Sequence, residues 1–195
     1  IPFLIHLYTT LYAGYGFFRD ELYYIACTNR LDTGYVDHPP FSILILYINR
    51  LLFGDSMFAL RFIPAVNSGL TVLVTCLMAR KFGGKTFSII LSSIAVTLAP
   101  VYLGMNAFYS MNSFDLLFWT LAFYLIMLIV DESKMSYWIY LGLVLGFGLL
   151  NKIGILWLGF GFLAGLLLTD KRKELLTIKP YLCAVIALVI FSPFI

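Results

Sequence analysis

The chain has 195 residues, 62% of them hydrophobic and 12% charged, with a net charge of +3 and a mean hydropathy of +0.95. Soluble domains carry about 45–50% apolar and about 25% charged residues, so a cytosolic enzyme, a disordered chain and a disulfide scaffold are excluded. The small, scattered positive charge also argues against nucleic acid as a partner. What remains is an all-α, polytopic membrane protein.

Seven apolar runs succeed one another, at 1–18, 57–79, 86–103, 113–130, 135–150, 153–169 and 181–195. Roughly 20 apolar residues cross a bilayer, so about seven spans are expected. The chain starts and stops inside apolar runs, at Ile1 and Ile195. Residues 1–195 therefore read as the amino-terminal part of a longer membrane domain, with 19–56 as its first extracytoplasmic loop.

That loop is the most polar stretch, holding Arg19, Asp20, Glu21, Arg30, Asp32, Asp37, His38, Arg50 and Asp55. Asp20 to Leu31 reads as a short helix with Asp20, Tyr24 and Thr28 on one stripe. Phe41 to Phe53, after Pro39-Pro40, makes only about 20 Å of helix, which is short for a span. Two short interfacial helices are expected here.

Basic residues near span ends set the orientation. Arg80, Lys81 and Lys85, then Lys171, Arg172, Lys173 and Lys179, place 80–85 and 170–179 in the cytoplasm. The 19–56 region and the loop around 104–112 then face the other side. A single helix over 135–169 would be about 52 Å long and would export the basic 170–179 loop. Two short spans forming a tight hairpin at Asn151-Lys152 are expected instead. Gly142 and Gly146, with Gly161 and Gly165, have the small-residue spacing that lets membrane helices approach closely.

On this topology Asp20, Glu21, Asp37, His38, Arg61, Asp115 and Lys152 collect on the non-cytoplasmic side. A carrier would put ionisable groups near the midplane, where these runs are almost free of charge. A site at the membrane surface points to a partly lipidic substrate. Adjacent residues on a helix point about 100° apart, so one of Asp20 and Glu21 suits a general base and the other a binding or orienting role. The plain alternative is a solvated acidic pair opening a helix. Asp37-His38-Pro39-Pro40 reads as a turn or as two of a metal's ligands. Arg61 suits an anion site or snorkels to the interface. Asp115 suits a helix start, and Lys152 a solvated turn. His6 is given no role, and Cys27, Cys76 and Cys183 have no disulfide or metal spacing.

Three segments carry a family resemblance: Phe18-Arg19-Asp20-Glu21-Leu22-Tyr23-Tyr24, Gly34-Tyr35-Val36-Asp37-His38-Pro39-Pro40 and Leu60-Arg61-Phe62-Ile63-Pro64. Asn112-Ser113-Phe114-Asp115 and Gly148-Leu149-Leu150-Asn151-Lys152 add to it. Together they resemble membrane glycosyltransferases of the family 39 type, which include dolichyl-phosphate-mannose protein mannosyltransferases and lipid A aminoarabinose transferases. The resemblance implies a GT-C fold in the cell membrane, with its active site on the extracytoplasmic face. It implies transfer of one sugar from a polyprenyl-phosphate donor to a protein or lipid acceptor hydroxyl, usually with inversion.

Carried over by residue, Asp20 matches the general base and Glu21 its partner. Arg61 matches an essential arginine, Asp115 an acidic position at the outer end of the fourth span, and Lys152 a donor-phosphate contact. Tyr24, Asp37 and His38 join the donor- and substrate-binding set. No metal ligands and no cofactor are assigned; the partners are donor, acceptor and membrane lipids. Such a displacement needs a base on the acceptor hydroxyl and positive charge at the departing phosphate, for which an arginine fork is well shaped. A non-enzymatic flippase or transporter of lipid-linked substrates is the alternative.

Overall fold

The computed structural model describes residues 1–195 and is built of helices and turns, without a β-strand. Helices α1 (Pro2–Tyr12), α2 (Arg19–Thr28) and α3 (Phe41–Phe53) come first. Then come α4 (Met57–Lys81), α5 (Thr86–Leu98), α6 (Pro100–Asn106) and α7 (Met111–Asp131). The last three are α8 (Met135–Asn151), α9 (Leu156–Leu168) and α10 (Lys179–Phe191). Each of the seven apolar runs is thus helical in its main part, and both loop helices fall close to where expected.

Length separates these helices. Only α4 and α7 are long and apolar enough to cross a membrane alone; counting two bent pairs as spans gives four. The first apolar run yields only 11 helical residues, about 16 Å. It stops before Gly14, which takes a left-handed φ of +72°. The 86–103 run breaks into α5 and α6 with a 59° bend. Pro100 causes that break: it cannot donate a backbone hydrogen bond, and it holds Ala99 in extended backbone at φ −64°, ψ 123°.

Serines start the two long helices. Ser56 Oγ accepts from Ala59 N at 3.1 Å, and Ser110 Oγ from Asn112 N at 3.3 Å. Each cap satisfies one of the orphan amides of a helix start.

The break at Lys152 separates α8 from α9, as the charge pattern predicts, and the two touch through Trp138 and Phe162, ring centroids 5.6 Å apart, but α9 is not the closest partner of α8. Instead α8 packs along α10. A Cβ added at Gly142 would come within 2.7 Å of the Cys183 carbonyl oxygen, and one at Gly146 within 2.8 Å of Ile190 Cβ. Gly161 and Gly165 have no such neighbour. The glycine spacing therefore does bring helices together, but its partner is α10.

Two apolar clusters hold the bundle. One, with Ala122, Leu125, Ile129, Trp138, Leu141 and Cys183, ties α7 and α8 to α10. The other, with Tyr24, Ile43, Leu46, Leu60, Tyr109 and Phe114, seats α2 and α3 on α4 and α7. A buried polar chain reinforces the second: Asn67 Nδ2 donates to Ser113 Oγ (3.1 Å), which donates to Asn106 Oδ1 (2.8 Å). Satisfied polar networks of this kind fix helix register.

The basic loops share one end of the bundle. Lys81 pairs with Asp131. Lys179 Nζ donates to the Ser133 carbonyl at 2.6 Å, and Ser133 Oγ to Glu174 at 2.7 Å. The acidic loop helix α2 belongs to the opposite end, with the start of α7 and the end of α8.

Candidate active site

Glu21 stands in the first turn of α2, where a carboxylate can turn back to bond the amide preceding the helix. It does so, accepting from Phe18 N at 2.8 Å. The same carboxylate takes Arg61 Nε at 2.9 Å, Arg61 Nη2 at 2.8 Å and Tyr109 N at 2.9 Å. A carboxylate offers about four lone-pair sites, and all are filled. Glu21 has 0% exposure and Arg61 7%. One side chain thus joins the start of α2, the first turns of α4 and the α6–α7 loop.

Arg61 is equally committed. Its Nη2 also donates to the Gly16 carbonyl at 2.9 Å, so only Nη1 is without a partner in the chain. The two-pronged fork expected for a phosphate is occupied by Glu21.

Asp20 differs sharply from its neighbour. Its side chain is 43% exposed, and its one charged contact is a 3.5 Å approach to the exposed Arg19. The 100° turn between adjacent helix positions has separated a buried carboxylate from an accessible one.

Tyr24 lies one helical turn beyond Asp20. Its hydroxyl accepts from Met111 N at 3.0 Å, and burial pushes the phenol up to about 12, so it stays protonated at neutral pH. The ring stacks on His38, centroids 5.0 Å apart and planes within 8°, and meets Tyr109 edge-on at 5.7 Å. His38 Nδ1 donates to the Pro39 carbonyl at 2.9 Å. That bond requires a proton on Nδ1, since a carbonyl oxygen only accepts; Nε2 is buried and has no partner. Asp37, beside it, is exposed.

Lys152 leaves the end of α8 in extended backbone. Its Nζ donates to Asn112 Oδ1 at 3.0 Å and lies 3.4 Å from Asp115 Oδ2. Asp115 Oδ1 is buried without a hydrogen bond. Next to it, Asn151 Nδ2 donates to the Met111 carbonyl at 2.9 Å, fixing the end of α8 to the start of α7. Asp37, His38, Lys152 and Gly154 all line one cavity of about 260 Å³.

The predicted residues therefore form two groups. Glu21 and Arg61 make a buried clamp, while Asp37, His38 and Lys152 share a cavity that Asp115 adjoins through Lys152. Tyr24 bridges the two, with Tyr109 on one side and His38 on the other. Asp20 stands on α2, exposed. No three His, Cys, Asp or Glu side chains gather to hold a metal ion.

Tyr109 and Asn112 were missed as single site residues. Tyr109 acts on Glu21 through its backbone amide, which no side-chain pattern discloses. Asn112 lay inside the Asn112-Ser113-Phe114-Asp115 landmark, and its contact with Lys152 spans 40 positions.

A family model described as dolichyl-phosphate-mannose-protein mannosyltransferase matches residues 37–195. Two curated relatives are similar. An undecaprenyl phosphate-alpha-4-amino-4-deoxy-L-arabinose arabinosyl transferase of Pseudomonas savastanoi pv. phaseolicola (strain 1448A / Race 6) is 27% identical over 168 residues, covering 82% of this chain and 31% of that protein. A second transferase of that name, numbered 2, from Pseudomonas fluorescens (strain Pf0-1), is 26% identical over 170 residues, covering 80% and 29%. The chain thus spans about a third of the length of these relatives. No solved structure matches it.

Proposed function

Since the chain belongs to the dolichyl-phosphate-mannose-protein mannosyltransferase family, of the GT-C type, we propose that it moves one sugar from a polyprenyl-phosphate donor to an acceptor hydroxyl on a protein or lipid. Glycosyl transfer by a multi-pass membrane protein is the part carried by family membership. The polyprenyl carrier follows the printed names of the two relatives. We read the seven helical runs as spans in the cell membrane, with the Lys81 and Lys179 end cytoplasmic and the Asp20 end outside.

In this reading Asp20 takes the proton from the acceptor hydroxyl. The freed oxygen attacks the anomeric carbon from the face opposite the phosphate, and the sugar–phosphate bond breaks with its electrons passing to the polyprenyl phosphate. The configuration inverts. Lys152 meets the negative charge that grows on the departing phosphate. Asp115 and Asn112 hold its ammonium in place, and Asp37 and His38 line the same cavity around the sugar phosphate. Tyr24 carries α2 against that wall.

Glu21 and Arg61 take a different part from the one the family motif implies. With its lone pairs filled, Glu21 does not serve the reacting atoms. It is a positioning residue that fixes the α2 turn from which Asp20 projects, and Arg61 is its counter-ion.

One observation carries this reading: of the adjacent pair, Asp20 keeps its side chain 43% exposed while Glu21 is fully buried and fully bonded, at the end of the bundle where Lys152 lines a cavity. The test is sugar transfer from a polyprenyl-phosphate sugar by the full-length protein, wild type against Asp20→Asn. Turnover should fall about 10²–10⁴-fold. Wild-type turnover in Asp20→Asn removes the base. A protein that moves the donor across vesicles without forming product is the flippase instead.

A further inference from the structure

Gly34 opens the segment that carries Asp37 and His38, and the space a Cβ would need there is taken. Such an atom would fall 2.7 Å from Phe194 Cε2 and 2.9 Å from Cδ2. One edge of the Phe194 ring therefore occupies the room of a side chain at Gly34. Both partners are held. On the loop side, Tyr35 N donates to the His38 carbonyl at 3.1 Å, and the Tyr35 hydroxyl donates to the Arg30 carbonyl at 3.1 Å. On the other side α10 ends at Phe191, and Pro193, which has no amide hydrogen to extend the helix, sits in the 3₁₀ turn Ser192–Phe194 that follows. That turn carries the Phe194 ring across to the loop, with the Phe191 ring 5.5 Å from it.

Phe194 also lines the cavity of about 260 Å³ that holds Asp37, His38 and Lys152. One cavity thus joins a cation, polar groups and an aromatic ring. Its volume is below the roughly 300–1,000 Å³ usual for drug-sized ligands, so it takes a single ring and not a polyprenyl chain. A sugar ring next to its phosphate is amphipathic: hydroxyls lie round its rim, and its C–H bonds present an apolar, weakly positive face. An aromatic face is negative and attracts such hydrogens. The hydroxyls need hydrogen-bond partners, and the exposed Asp37 carboxylate and the unpartnered His38 Nε2 are at hand. We propose that Phe194 is the platform on which the donor's sugar ring stacks, with the donor phosphate at Lys152, and that Gly34 is the positioning residue that admits the Phe194 ring. This deepens the function proposed above and rests on it.

Phe194 touches the sugar and not the lipid, so donor with and without its sugar must respond differently. Full-length protein is titrated with undecaprenyl phosphate and with mannosyl or aminoarabinosyl undecaprenyl phosphate, whichever the wild type transfers. Phe194→Leu keeps an apolar side chain but loses the aromatic face. It should weaken binding of the sugar-bearing donor about 2–10-fold and leave binding of undecaprenyl phosphate unchanged. Phe194→Tyr keeps the ring and should bind both as the wild type does. Gly34→Ala should match Phe194→Leu, since its Cβ pushes aside the end of a side chain. In the double variant Gly34→Ala/Phe194→Leu the two losses should not add, because both act on one ring.

Equal weakening of both ligands by Phe194→Leu, or weakening of neither, overturns the platform. So does a Phe194→Tyr protein that binds as poorly as Phe194→Leu. The two proposals fail differently. A wild type that transfers neither sugar refutes the function proposed above and the platform with it. A protein that transfers sugar, with donor binding unchanged in Phe194→Leu and Gly34→Ala, refutes the platform alone.

Discussion

The two ends of the bundle each carry an ion pair between α4 and a distant segment, and the pairs differ in kind. At one end Lys81 meets Asp131, with side chains 34% and 54% exposed. At the other Arg61 meets Glu21, at 8% and 0%. The exposed pair works in high dielectric, is screened by salt and loses side-chain entropy, so it adds little. The buried pair has given up its hydration, and its attraction offsets that loss only because every lone pair of Glu21 is filled. Two bridges of the same chemistry thus do different work. One decorates an end where three loops meet, and the other locks together the elements around the candidate site.

The sharpest way to break that contrast is to remove one partner of the buried pair. Glu21→Ala leaves Arg61 charged and buried, and should destabilise the full-length protein by about 3–5 kcal/mol, read from denaturant unfolding in detergent. Arg61→Leu should cost a similar amount. The double variant should fall well short of their sum, because no charge is then stranded.

Lys152→Met tests whether a half-exposed cation at the same end binds rather than builds. Loss of a charge-assisted contact to donor phosphate is worth about 1.5–3 kcal/mol, or roughly 10–150-fold in donor affinity, in a titration of the polyprenyl-phosphate sugar. Unfolding should shift less than in Glu21→Ala, because Lys152 and Asp115 keep 38% and 20% of their side chains exposed.

Gly142→Val probes the packing of α8 on α10 away from both ends. Its Cβ falls 2.7 Å from the Cys183 carbonyl oxygen, and overpacking of this sort costs about 1–3 kcal/mol, measured again by unfolding. At the bottom of the scale, Lys81→Met should leave both the unfolding midpoint and transfer unchanged. A loss of stability there equal to that of Glu21→Ala would erase the contrast.

Much of this was legible in the sequence, and what escaped has physical causes. Apolar runs announced the helices, whereas the Ser56 and Ser110 caps that start α4 and α7 emerged only with the structure. Charge asymmetry placed Arg80, Lys81 and the 170–179 segment together at one end. Hydropathy does not register a bend, so the Pro100 break appeared only as a proline inside a run. Spacing marks glycines that allow close approach without saying to which helix, and Gly142 chose α10. At the site, the Asp20-Glu21 pair was visible, and so was the divergence of the two side chains that a 100° turn imposes. Which of the two is buried depends on Arg61 and the Tyr109 amide, 40 and 88 residues away. No local pattern contains that.

The central claim is that two neighbouring carboxylates divide chemistry from architecture. Asp20→Asn and Glu21→Gln, compared side by side for turnover and for unfolding midpoint in the same full-length preparation, test it most directly. Asp20→Asn should keep the wild-type midpoint and lose about 10²–10⁴ in turnover, whereas Glu21→Gln should lower the midpoint. A Glu21→Gln protein with wild-type stability and no turnover, beside an active Asp20→Asn, would contradict it.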